Sequence, residues 1–199
     1  IWARYGGSFT RSDADDRVDS LLFAKRPDDA ARFLSTTSPD RQAAFAARIA
    51  MQQNAPDADS RYGAVISSVT RDAGLMMDRA RWLRANNYSQ AAQQLAARDH
   101  QFAYKPIDPD RFLDMLILLA GDAVQDRNWQ AAYSIASQTD DVLPTGANVA
   151  DQSISIRDNY TTLAWLAGTV ALDRMNRPGA AVAMFDRYAR GGRSLQVQT

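Results

Sequence analysis

Four times in 199 residues an Ala-Ala pair stands between a short polar lead-in and a large apolar residue three positions after the second alanine. The copies are Arg26-Pro-Asp-Asp-Ala-Ala-Arg-Phe-Leu34, Asn87-Tyr-Ser-Gln-Ala-Ala-Gln-Gln-Leu95, Arg127-Asn-Trp-Gln-Ala-Ala-Tyr-Ser-Ile135 and Asn176-Arg-Pro-Gly-Ala-Ala-Val-Ala-Met184. On a helix, two small side chains and an anchor about one turn later share a patch on which a neighbouring helix approaches closely and is still held. The pattern predicts an all-α chain, a stack of antiparallel helical hairpins. Separations of 61, 40 and 49 residues between the pairs are too uneven for the roughly 34-residue period of regular tetratricopeptide repeats, and they suit a degenerate TPR-like solenoid with variable insertions. No window alternates apolar and polar residues between turn signals, so no β-sheet is expected.

Local signals place the helices. Ser12 ahead of Asp13, Asp15 and Asp16 predicts a capped helix running to about Lys25, with Val18, Leu21 and Leu22 inward. Pro27 opens the first Ala-Ala helix, and Ser38-Pro39 opens a third helix, apolar on most sides, that ends near Gln53. A weaker helix is expected over 58–68, then a strong one over Arg71–Ala85. Its inward side reads Leu75, Met76, Ala80, Trp82 and Leu83, with Asp72, Asp78, Arg81 and Arg84 outward. Asp108-Pro109 caps a long helix with the stripe Phe112, Leu113, Leu116, Ile117, Ala120 and Val124. Residues 139–155, rich in Pro, Gly, Asn and paired Asp, read as one long loop of the kind that is often functional. A helix from about Arg157 to Met175, with Leu163, Leu166, Val170 and Ala171 inward, and the fourth Ala-Ala helix, ended by Gly191-Gly192 as a C-cap, complete the chain.

Composition removes several functions. Twenty-three basic residues balance 23 acidic ones, whereas a nucleic-acid binder carries a basic excess, so no nucleic-acid partner is expected. The longest nearly apolar run, Leu163–Leu172, is ten residues, about half a membrane span, so no transmembrane segment is expected. There is no Cys, which removes disulfides and thiol chemistry. Every acidic residue is Asp and none is Glu, so the most adaptable general acid for glycosidic chemistry is missing. The N-terminus, Ile1-Trp-Ala-Arg-Tyr-Gly-Gly, lacks a charged start and apolar core, and a signal peptide is expected to have been removed or to lie outside this sequence.

Three groups of residues carry the resemblance of this chain to a known family. Arg71-Asp-Ala-Gly-Leu-Met-Met-Asp-Arg-Ala-Arg-Trp-Leu-Arg84, continuing into Ala91-Ala92, resembles the superhelical region of soluble lytic murein transglycosylases of the alphaproteobacterial type. Trp165-Leu-Ala-Gly-Thr-Val-Ala-Leu172, with Pro178 and Phe185, is similar to the helix pair by which that region approaches its linker. Residues 1–50, from Trp2 and Tyr5 through Arg17-Val-Asp-Ser-Leu-Leu22 to Ala46-Ala-Arg-Ile-Ala50, are similar to its N-terminal hairpins. The resemblance implies one non-catalytic α-superhelical domain over residues 1–199: N-terminal hairpins over 1–56, central hairpins over 57–138, an inserted loop over 139–155 and a C-terminal hairpin over 156–192. In the family such a region is attached to a lysozyme-like domain that cleaves peptidoglycan with one Glu. No such domain is expected within these 199 residues, so the expected role is to enclose or orient glycan strands in the periplasm, with no reaction of its own. The alternative is a stand-alone helical-repeat adaptor for a protein partner. It is favoured by the missing Glu, by Phe112-Leu113, Thr169 and Met184 where the family has other residues, and by the inserted loop.

No catalytic, cofactor-binding or metal-binding residue is expected, and no cofactor. Asp57-Ala-Asp59, Asp108-Pro-Asp110 and Asp13-Ala-Asp-Asp16 lack a calcium loop's central Gly and closing Glu and read as helix caps. His100, the sole histidine, has no Cys or Glu co-ligand and reads as a polar loop residue. Arg79, Arg81 and Arg84 read as a solvated face with modest ion pairs, Asp78 with Arg81 among them. Trp82 and Trp165 fall at helical core spacing, whereas Trp129 and Tyr133, one turn apart near a helix start, form the ligand-facing pair expected from the sequence.

Overall fold

Five helices end on a residue in the left-handed conformation: Lys25 (φ 56), Asn54 (φ 50), Asn87 (φ 66), Arg127 (φ 56) and Asn176 (φ 51). After the first four, the next N–H reaches the carbonyl five residues back: Arg26 to Leu21 at 2.9 Å, Ala55 to Ala50 at 2.9 Å, Tyr88 to Leu83 at 2.8 Å and Asn128 to Ala123 at 2.8 Å. These are Schellman closures, which satisfy the free carbonyls of a helix end and reverse the chain at once. Five residues after Lys25, Asn87, Arg127 and Asn176 come Ala30, Ala92, Ala132 and Ala181, all buried. The turn therefore sets the register of the alanine that faces the preceding helix. In the first copy that alanine is the first of its pair, and in the other three it is the second.

The structure, a computed structural model, describes residues 10–192, so Trp2 and Tyr5 lie outside the described residues. Within them the chain is all-helical: α1 Arg11–Phe23, α2 Pro27–Ala31, α3 Pro39–Gln52, α4 Ala58–Gly63, α5 Ala73–Ala85, α6 Ser89–Ala96, α7 Pro109–Gln125, α8 Trp129–Ser137, α9 Ile154–Asp173 and α10 Pro178–Gly192. No strand occurs among the described residues, and one parallel bridge joins Asp72 to Tyr104. Helices pack in sequential pairs, α1 with α2, α3 with α4, α5 with α6, α7 with α8 and α9 with α10. The first members also meet in order, α1 with α3, α3 with α5, α5 with α7 and α7 with α9. A large core runs from Phe23 to Met184, and a smaller one, Val18, Leu22, Ala30, Phe45 and Ile49, lies among α1, α2 and α3.

Several local expectations are corrected. The cap of α1 is Thr10, not Ser12: its Oγ1 accepts the Asp13 N–H at 3.2 Å, while the Asp13 carboxylate accepts the Thr10 N–H at 2.7 Å. That reciprocal box satisfies two amide donors where Ser12 would satisfy one. The weak helix expected over 58–68 is α4 followed by a separate 3-10 turn, Ile66–Ser68. The 139–155 segment contains two 3-10 turns, Asp140–Val142 and Val149–Asp151, and buries Thr139, Val142 and Leu143. Gly191, expected as a C-cap of α10, is itself helical, and its carbonyl accepts the Arg157 Nε–H at 3.2 Å. A Cβ there would come within 2.6 Å of Thr161 Cγ2, so only glycine lets α10 approach α9 this closely.

Candidate functional site

Burial along α9 is decided by what covers each face. Leu163, Ala164, Ala167, Val170 and Ala171 take the inward side, and α10 covers a second strip through Ala181 and Met184. At Gly168 a Cβ would stand 2.6 Å from Phe185 Cε1, so the two helices touch through a ring laid on bare backbone. Trp165 falls outside both strips. Contrary to the core position expected for it, Trp165 is 54% exposed. Its ring centroid lies 5.3 Å from that of Phe185 and 5.3 Å from that of Tyr188, tilted by 54° in each case. Tyr188 is exposed as well. Beside these two rings opens a cleft of about 490 Å³ walled by Asp158, Thr161 and Thr162. An aromatic platform with hydroxyls and a carboxylate at its edge is equipped to hold a flat ligand with one apolar face and a polar rim.

Trp129 and Tyr133 do share one side of α8, whose first turn is capped by Asn128 Oδ1 accepting the Ala131 N–H at 3.2 Å. Both are partly buried against the large core, and the Arg174 guanidinium carbon lies 5.2 Å from the Trp129 ring centroid. Trp82 is partly buried against the same core, as expected, with Arg79 over its ring at 4.6 Å.

The charged residues depart furthest from their expected places. Asp72 and Asp78, expected to face outward, are buried, and they belong to a network centred on Arg48, whose side chain is fully buried. Arg48 donates from Nε to Asp78 Oδ2 at 2.7 Å and from Nη1 to Asp19 Oδ1 at 2.5 Å. Gln52 donates to Asp78 Oδ1 at 2.9 Å and to the Leu22 carbonyl at 2.8 Å. Arg41 reaches Asp72 at 3.2 Å, and its guanidinium lies 3.8 Å from the Tyr104 ring centroid. The guanidinium of Arg48 rests against Gly74, where a Cβ would overlap it. Burial pulls the Arg48 pKa down, but Asp19, Asp78 and Asp72 outweigh it and raise the pKa above its ordinary value. Burial pushes the Asp78 carboxyl up, against the pull of Arg48. With three carboxylates around two guanidiniums, the cost of desolvation is left on a carboxylate.

Other polar groups hold segments in place. Arg79, expected on a solvated face, is mostly buried over Tyr62 and pairs with Asp59 at 2.7 Å, while Arg84 bridges α5 to Asp122 of α7 at 2.8 Å. The His100 imidazole is buried and not a free loop group: it stacks on Phe102 at 4.4 Å and meets Asp141 at 2.9 Å through Nδ1. Asp141 also accepts the Phe102 N–H at 3.1 Å, so the 139–155 segment is fastened to the 100–102 stretch. Asp140 accepts the Tyr160 hydroxyl at 2.6 Å and pairs with Arg187 at 2.7 Å. Burial, then that bond, pushes the Tyr160 hydroxyl up to about 12.

Asp108 caps α7 through the Arg111 N–H at 3.1 Å, whereas Asp57 at the start of α4 makes no such bond and pairs with Arg61 at 2.7 Å. Among the described residues no group of three or more His, Cys, Asp or Glu side chains is placed to hold a metal ion. No helix among them is long and apolar enough to cross a membrane.

No protein-family model, no curated protein and no solved structure matches the chain. The class defined by fold and site is an all-helical chain of sequential helix pairs with an exposed aromatic cleft on its last pair. The cleft was not legible in the sequence, which pointed to Trp129 and Tyr133 instead, because Trp165 and Tyr188 are 23 residues apart on different helices and no local spacing joins them.

Proposed function

We propose that this chain is the non-catalytic superhelical portion of a periplasmic lytic transglycosylase, a scaffold that encloses or orients peptidoglycan glycan strands for a catalytic domain elsewhere. The observation that carries the reading is the tilted pair Trp165–Tyr188 beside a cleft edged by Asp158, Thr161 and Thr162. A pyranose offers an apolar C–H face to an aromatic ring, and its hydroxyls need partners of the kind the threonines and Asp158 provide. Helix pairs that meet in chain order through their first members support a superhelical stack with an extended binding face. The absence of Glu leaves the proton transfer of glycosidic cleavage to another domain.

Retention on purified, protein-free sacculi tests the reading. The chain is expected to bind well above a helical control protein, and Trp165→Ala with Tyr188→Ala is expected to abolish the excess. Retention equal to the control refutes glycan binding. Sacculi incubated with the chain alone should release no anhydro-muropeptides, and their release refutes the non-catalytic role.

A second reading, a helical-repeat adaptor for a protein partner, is favoured by Leu172 and Val182, 47% and 68% exposed on the same helix pair as Trp165. Under it, protein-free sacculi retain nothing.

A further inference from the structure

The C-terminal ends of α1, α3 and α5 converge on a second cleft, of about 360 Å³, walled in part by Lys25, Met51, Gln52, Asp78, Arg81 and Trp82. Asp78 stands one helical turn before Arg81 yet does not satisfy it, because its oxygens are taken by Arg48 at 2.7 Å and Gln52 at 2.9 Å. Among the described residues Arg81 has no carboxylate within ion-pair distance, and its Nη1 is buried without an acceptor. Nine buried side-chain polar atoms among the described residues have no hydrogen-bond partner, and three belong to residues that wall this one cleft: the donors Arg81 Nη1 and Trp82 Nε1 and the acceptor Gln52 Oε1. Buried donors left unsatisfied cost free energy, and two of them at one concave surface mark a place that a ligand acceptor would complete.

We propose that this cleft binds a small organic monocarboxylate. A guanidinium receives a carboxylate through two parallel N–H bonds, and Arg81 is the half-buried donor with none to receive. Burial, reinforced by Arg111 and Arg48 against the pull of Asp78, lowers its pKa. An anion at that point supplies an acceptor to the two unsatisfied donors, Arg81 Nη1 and Trp82 Nε1, while the third atom, Gln52 Oε1, is an acceptor that it leaves as it is. Lys25, held at the rim by the left-handed turn that ends α1, adds a second positive charge. Met51 and Trp82 offer apolar wall to the body of the ligand. Asp78 and the partial negative charge of three helix C-termini oppose a doubly charged phosphate, so a single carboxylate is the better match. This site is independent of the glycan reading, because neither Trp165 nor Tyr188 touches it.

The experiment is a titration of the full chain, followed by ¹H–¹⁵N NMR, with benzoate, with its neutral isostere benzamide and with inorganic phosphate. Benzoate is expected to give saturable shifts at the Trp82 indole N–H, with benzamide and phosphate at least about tenfold weaker. Arg81→Gln is expected to weaken benzoate about tenfold or more and Lys25→Gln by about two- to fivefold, while neither changes retention on sacculi. Ala85→Trp, which fills the cleft from its wall without altering charge, is expected to abolish binding. Absence of saturation by benzoate, equal binding of benzamide, or tighter binding of phosphate overturns the proposal. So does wild-type affinity in Arg81→Gln. Should Arg81→Gln lose its helical circular dichroism, Ala85→Trp decides: benzoate still bound at wild-type strength overturns the site.

Discussion

Arg48 and Asp78 are joined at 2.7 Å in a contact buried on both sides, and it ties α3 to α5. Through Asp19 the same guanidinium reaches α1, so one side chain links the first helices of three successive pairs. Arg41, 8% exposed in its side chain, reaches Asp19 and Asp72 beside it, but among the described residues the Arg48 side chain carries the shorter bonds and no exposure. That geometry makes Arg48 the natural first target.

Removing the cation leaves Asp78 and Asp19 buried without the guanidinium that bonds both. Arg48→Leu is expected to cost about 3–5 kcal/mol, read from urea unfolding, and Arg48→Leu with Asp78→Leu is expected to recover part of it. Gly74→Ala, which drives a methyl into the guanidinium, is expected to cost about 1–3 kcal/mol. A Gly74→Ala protein as stable as the parent would show that the guanidinium can relocate.

The folded state raises Asp78 above the ordinary carboxylate value of 3.8. For an acid raised by folding, the native state holds the proton more tightly than the unfolded state. Stability from this group is then largest below 3.8 and is lost as pH rises through the folded value. Asp13 runs the other way: its bonds with Thr10 lower it, so its contribution is present above 3.8 and is lost as pH falls through its folded value. Unfolding free energies of the parent and Asp78→Asn, measured from pH 4 upward, are expected to diverge. The parent should lose ground to the variant as pH rises, and parallel curves would contradict the assignment.

Arg127 holds φ 56 with a side chain that strains there, and it lies exposed at the end of α7. Arg127→Gly is expected to raise stability by about 1 kcal/mol, seen as a higher midpoint in urea at unchanged slope. Asn87→Gly is expected to gain less, since Asn tolerates this conformation better.

Ala92 is fully buried and Ala91 only partly so. Ala92→Leu is expected to cost about 1–3 kcal/mol by overpacking, and Ala91→Leu less than about 1. Equal melting of the two variants would remove the role of the left-handed turn in setting which alanine faces the neighbouring helix.

Much of this is readable from short stretches of chain. Of the stripe Phe112, Leu113, Leu116, Ile117, Ala120 and Val124, four members are buried as the 3.6-residue spacing requires, Ile117 and Val124 are partly buried at its edge, and Asp108 caps the helix it precedes. The Ala-Ala pairs mark helix contacts, although which alanine is buried follows from the turn before it and not from the pair. Asp78 and Arg81 were illegible, because a charge three residues from an opposite charge looks the same on a solvated face and beside a buried Arg. The partner that decides the matter, Arg48, stands 30 residues away.

Residue order alone determined that this chain is helical and where most of its helices lie, since those are settled by backbone sterics and by spacing within one or two turns. Only the tertiary structure decided which charges are buried and which aromatic rings are free. Burial of Arg48 requires Asp19 and Asp78 to arrive from α1 and α5, and the exposure of Trp165 depends on where α10 stops covering α9. Both are properties of surfaces brought together, and a single helix carries no record of the partner that will cover it.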